Sequence, residues 1–133
     1  MKIPKNSGFS LIEALATVAI IGIITFLALP NVISARRDAE VSMAVSRAEA
    51  INMAVASLVQ SRGFTSAKSD WDGAASEEIR YAQLRNYLAY APTNLTDFAP
   101  DGYSISLPVV LSRPLDKVTL NRIDGETIAA VAY

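Results

Sequence analysis

The residue most open to chemistry is Glu13, a carboxylate at the edge of a long apolar run, in Gly8-Phe9-Ser10-Leu11-Ile12-Glu13-Ala14-Leu15. An acid at the centre of a membrane span costs roughly 2.5 to 3.5 kcal/mol, and somewhat less near an edge, so it calls for a partner or a purpose. In the first turn of a helix its charge complements the macrodipole for a few tenths to about 1 kcal/mol. That accounts for its tolerance and not for its placement. Elsewhere the chemistry is thin. The 133 residues contain no Cys and no His, which removes disulfides, thiol nucleophiles, imidazole bases, the usual zinc sites and the common haem ligands. No enzymatic activity and no cofactor is expected.

Three weaker signals have plainer readings. Asp116, Asp124 and Glu126 invite calcium, but that ion takes about 6 to 8 oxygen ligands and loop acids are common turn residues, so no metal is expected. Asn94-Leu95-Thr96 matches a glycosylation acceptor and reads as a turn. Arg36, Arg37 and Arg47 are solvated helix charges: the net charge is −1, and losing Lys2 and Lys5 with a leader would take it to −3, so no electrostatic funnel for nucleic acid exists.

Glu13 has to be positioned by the apolar run beside it. From Ala14 to Ala35 lie 22 uncharged residues. A helix of about 20 residues at 1.5 Å rise crosses a hydrocarbon core of roughly 30 Å. Ahead of it, Met1 to Gly8 carry only Lys2 and Lys5 as charges and read as the basic region of an export signal. A buried core helix of this length is hard to surround in so small a domain. A cleaved signal peptide would need small residues at its cut, for which Ile33-Ser34-Ala35 is mediocre. A retained anchor is favoured. Lys2 and Lys5 are balanced by Arg36 and Arg37, so counting cations does not orient it.

Together, Gly8 to Leu15, Ala19-Ile20-Ile21-Gly22-Ile23-Ile24 and Ala28-Leu29-Pro30 resemble the N-terminus of type IV pilins and the pseudopilins of type II secretion. The resemblance covers the first 35 to 60 residues or so and not the C-terminal half. It implies a leader, 1–8, cut between Gly8 and Phe9 by a membrane prepilin peptidase, followed by methylation of the Phe9 amine. It implies that Glu13 faces the Phe9 amine of a neighbouring subunit, a register device in a low-dielectric filament core. The implied partners are identical or related pilin subunits, the peptidase, an inner-membrane assembly platform and, before assembly, membrane lipid. The implied location is the bacterial inner membrane with an extracytoplasmic head, then a filament in the periplasm or at the cell surface. Pro30 should kink the helix near Phe26 to Leu29, and Gly22 is a second weak point that allows close helix approach.

Beyond Pro30, Val41, Ala44, Ala48, Ile51, Val55 and Leu58 recur at three- and four-residue spacing, so Phe9 to Arg62 reads as one long kinked helix stopped by Gly63. Residues 9–35 form its transmembrane, assembly half, and 36–133 hold the amphipathic half with a small head. Thr65 to Ala75 reads as a surface loop, with Trp71 either core or an assembly contact, core being favoured. Ser76 with Glu77 and Glu78 starts a short helix whose apolar side is Tyr81, Leu84, Leu88 and Ala91, ended by Pro92. Period-two alternation over Tyr103 to Leu107 and Lys117 to Asn121, then the Asp124-Gly125 turn and Thr127 to Tyr133, predicts a three-stranded meander. The expected fold is α+β, a long kinked helix packed on a small antiparallel sheet.

The expected function is a structural subunit of a type II secretion pseudopilus or type IV pilus. Absence of the C-terminal disulfide of many major pilins shifts weight toward pseudopilins or simpler pilins, with a slight lean to the pseudopilus. The competing reading is a single-span anchored binding module that never polymerises. A third is a secreted domain released near Arg36.

Overall fold

The computed structural model describes residues 8–124 and 127–130, the last strand by its backbone. Its first element, α1, is Leu11–Arg62. Two compact units divide the chain, one ending at Ala39 and one beginning at Glu40.

In the first unit every described residue is exposed. The helix is held by its own backbone, and the hydroxyls of Thr17 and Thr25 donate to the carbonyls of Glu13 and Ile21, four residues back, at 2.7 and 2.8 Å. This is how a span hides polar groups where no water can take them. By length and composition α1 is able to cross a membrane through this part. The helix runs through Pro30 without interruption.

The second unit has a conventional core. The later part of α1 buries Ala44, Ala48, Ile51, Ala54, Val55 and Leu58 along one stripe, the expected amphipathic face. Gly63 ends it with φ of +80°, a backbone that side chains rarely adopt. A second helix, α2 (Phe64–Asp72), follows at once. This corrects the loop expected over Thr65 to Ala75: Phe64, Ala67 and Trp71 recur at helical spacing, and Ala67 and Trp71 are fully buried, so a short 3.6-residue period outweighed the Ser- and Asp-rich composition. Trp71 is core.

The helix expected after Ser76 is present but shorter. Ser76 caps α3 (Glu77–Leu84) by accepting from the Ile79 N–H at 3.3 Å. One 3-10 turn, Arg85–Tyr87, follows, and Leu88 is already extended, so Leu88 and Ala91 are not on the helical side they were given. Asn94 precedes a one-turn helix, α4 (Leu95–Phe98), where a turn was expected.

The sheet is the expected meander, β1 (Tyr103–Ser106), β2 (Thr119–Asp124) and β3 (Thr127–Ala130), antiparallel in the order β1-β2-β3. Ile105 lies opposite Leu120 and both are buried, while Ser106 and Thr119 face solvent. That alternation is the pleat showing one face to the core. Gly125 of the predicted turn, the following Glu126, and residues 131–133 lie outside the described residues. The architecture is α+β, a long helix whose later part packs on a small antiparallel sheet.

Candidate assembly site

The N-terminal segment gathers the residues singled out in the sequence. Ser10 directly precedes α1, and Glu13 is its third residue. The Glu13 carboxylate accepts from the Ser10 N–H at 2.9 Å through Oε2, while the Ser10 carbonyl accepts from the N–H groups of Glu13 and Ala14 at 3.0 and 3.2 Å. This is the acid half of a capping box, satisfying one of the donors that a helix start leaves without an intrahelical partner. Sequence reasoning missed it, although Ser10-x-x-Glu13 ahead of an apolar run is its signature. Glu13 therefore has a local partner in the single chain.

Phe9 is 87% exposed beside this cap. No neighbouring atom crowds the Cβ position at either Gly8 or Gly22, and neither has a left-handed backbone. Among the described residues nothing requires glycine at either position. Pro30 leaves the carbonyl of Phe26 without its usual donor. The structure thus joins Ser10 and Glu13, and spaces Gly22 and Pro30 farther along the same helix.

The second unit offers no comparable chemistry. No group of three or more acids able to hold a metal occurs among the described residues. Asp116 accepts from the Ser112 hydroxyl at 2.6 Å, whereas the Asp124 side chain and Glu126 lie outside the described residues. Arg47 donates to the Phe98 carbonyl and stands 5.9 Å from the centre of that ring, a structural use of a residue weighed earlier for DNA. Arg80 is buried and donates to the carbonyls of Trp71 and Ala74 at 3.2 and 3.0 Å, closing the end of α2.

Residues 3–29 match the family described as the prokaryotic N-terminal methylation motif. The chain is also 32% identical over 103 residues to the type IV major pilin protein PilA of Myxococcus xanthus (strain DK1622). The chain is a type IV pilin-like protein. The similarity takes in 77% of this chain and 38% of that relative's length, so the pilin-like chain spans well under half of the curated relative it matches. No solved structure matches it. The motif lies across the capped start of α1 and its exposed apolar stretch, ending one residue before Pro30.

Proposed function

We propose that this pilin-like protein is a structural subunit of a type IV filament, matured from a prepilin and assembled through residues 9–35. The observation that carries the reading is the coincidence of the methylation motif with a helix that is apolar on all sides and finds no cover among the described residues of its own chain. Such a surface is stable in lipid or against like helices and nowhere else. Cleavage between Gly8 and Phe9 by a prepilin peptidase frees an amine one residue from Ser10, whose N–H is the present partner of Glu13. Methylation of that amine keeps its charge. Glu13 then exchanges a neutral donor for a cationic amine on a neighbouring subunit, a stronger bond where the dielectric is low. The chain is held in the inner membrane with its head extracytoplasmic until an assembly platform extracts it. It catalyses nothing.

Of the two filament types, the similarity to a major pilin favours a pilus over a secretion pseudopilus. The absence of Cys, which weighed the other way, is met here by a core closed without covalent help.

The test is intact mass and N-terminal sequencing of protein from the sheared-filament and membrane fractions of a peptidase-containing host. A start at methylated Phe9 is expected. A start at Met1 leaves a non-polymerising anchored module, and a start near Arg36 a secreted domain. Glu13→Ala should be processed normally and yield few filaments; wild-type filament recovery removes the register role.

A further inference from the structure

Strand β1 lies at one edge of the sheet, and a cleft of about 210 Å³ opens along it, lined on its other side by the first residues of α3 and by α4. All four residues of β1 line this cleft. Successive side chains of a strand point to opposite faces, so a cleft that all four touch runs along the strand's edge, where the backbone is.

The ladder shows what that edge presents. The Ile123 N–H donates to the Gly102 carbonyl at 2.8 Å, which makes Gly102 and Ile123 a hydrogen-bonded pair. Bonded and non-bonded pairs alternate along an antiparallel ladder, so Ser104 with Asn121 and Ser106 with Thr119 are the next bonded pairs. The N–H and C=O groups of Tyr103 and Ile105 therefore point away from β2. The Tyr103 N–H donates to the Pro100 carbonyl at 3.0 Å, and beyond the strand the Leu107 N–H donates to Glu77. Between those two bonds, the Tyr103 carbonyl and both polar groups of Ile105 have no partner among the described residues. Ile105 is 5% exposed, so its backbone has little access to the water that hydrates an open sheet edge. Backbone groups so placed are nearly always paired in a native assembly.

The cleft also carries charge. Glu77 and Glu78 stand along it, each with one carboxylate oxygen taken by a backbone N–H, that of Leu107 and that of Leu95. Each keeps a second oxygen for a cation, and no Lys or Arg among the described residues lines the cleft. We infer that the β1 edge binds an extended, basic peptide segment of a partner protein, added as a further strand with a Lys or Arg against Glu77 and Glu78. In antiparallel register, Ile105 exchanges both its bonds with one residue of the segment, and the Tyr103 carbonyl accepts from the residue two positions on. The unpaired backbone selects an extended chain, and the carboxylates select its charge. The site lies wholly in the second unit and is independent of the filament reading.

The probe is a short capped peptide of alternating Thr and Lys, added to the full chain in detergent micelles. Amide exchange at Ile105, read by NMR on the isotopically labelled chain, should slow by about tenfold or more on saturation, because exchange then requires the new bond to open. Two control peptides should bind at least about tenfold more weakly: one with Glu in place of Lys, and the Lys peptide methylated at its backbone nitrogens, which keeps its charge and loses its donors. A Glu77→Gln, Glu78→Gln double variant keeps acceptor oxygens for Leu107 and Leu95 and should also bind the Lys peptide about tenfold more weakly. If that variant shifts the denaturant midpoint of the Trp71 fluorescence, the control peptides on the wild-type chain decide the question. Equal binding of either control, or no slowing at Ile105 up to about 1 mM Lys peptide, overturns the inference. Protection of Ile105 that appears without peptide and grows with protein concentration assigns the edge to a second copy and overturns it as well.

Discussion

The two stretches of α1 on either side of Ala39 are one secondary structure with two fates. In the first, Leu27 is 65% exposed and no residue is buried; in the second, Leu58 is fully buried. Helix propensity does not separate them, since both are rich in Ala, Leu, Ile and Val. The distribution of polar residues does. Up to Ala35 the apolar side chains surround the helix, whereas from Glu40 onward residues such as Glu49 and Gln60 claim one side and leave the opposite stripe for the sheet and short helices. The helical conformation is thus decided locally, and burial is decided by which partner exists. For the second stretch the partner is its own chain, and for the first none is found among the described residues.

The largest effect that tests this contrast is loss of packing. Leu58→Ala should destabilise the second unit by about 2 to 5 kcal/mol, read as a lower denaturant midpoint of Trp71 fluorescence on the full chain in detergent micelles. Trp71 is buried and the chain has a single Trp, so the signal reports this unit alone. Leu27→Ala in the same assay should leave the midpoint in place. A comparable shift from Leu27→Ala would show that the exposed helix contributes to head stability and would break the comparison.

Legibility in the sequence follows the same division. The long helix, its stop at Gly63 and the meander were readable because their periods persist over many residues or end in a residue with one clear conformational use. Helix α2 was not read, because Phe64, Ala67 and Trp71 give a short periodic signal among Ser, Asp and Gly that also make loops. The second half of the predicted helix after Ser76 failed for the opposite reason: Leu88 and Ala91 continue the apolar spacing after the backbone has left the helix, and Leu88 still packs against the core from an extended segment. At the candidate assembly site, Glu13 was legible through the cost of its charge in an apolar setting, whereas its Ser10 partner belongs to a capping box, which is a matter of spacing and not of charge. The side chains that bond the backbone of Leu107, Pro108 and Leu111 come from residues up to 43 positions away and have no local signature.

Two glycines on the chain sharpen the comparison at a smaller scale. Gly63 has a positive φ, so Gly63→Ala should cost roughly 1 to 2 kcal/mol in the Trp71 unfolding assay, the penalty of a side chain in left-handed backbone. Gly22 sits in ordinary helix with open space around it, and Gly22→Ala should improve local helix propensity by about 1 kcal/mol without moving that midpoint. Its expected consequence is instead lower filament recovery, because an added methyl obstructs close approach of neighbouring helices. Unchanged recovery would assign Gly22 to helix flexibility alone.

The smallest expected effect is one of pH, and it again separates the units. The first is held by backbone hydrogen bonds along a helix, while the second uses carboxylates as straps. Lys68 chiefly, and then the Leu111 N–H, hold Asp72 below its usual 3.8, and Lys117 with Asn52 hold Glu49 below its usual 4.5. For an acid whose pKa is lower in the folded state, the unfolded chain binds the proton first. The contribution is therefore complete above the ordinary value and disappears as pH falls through the lowered one. The Trp71 midpoint should be level from about pH 7 to about pH 5 and should decline below about pH 4. Both carboxylates are at the surface, so solvent screens them and the decline is modest. Asp72→Asn keeps an oxygen able to accept from Leu111 while losing the charge that pairs with Lys68. It should start from a slightly lower midpoint at neutral pH and fall less steeply in acid. Equal acid slopes in variant and wild type would mean that the Asp72 strap positions the loop without lending it pH-dependent stability.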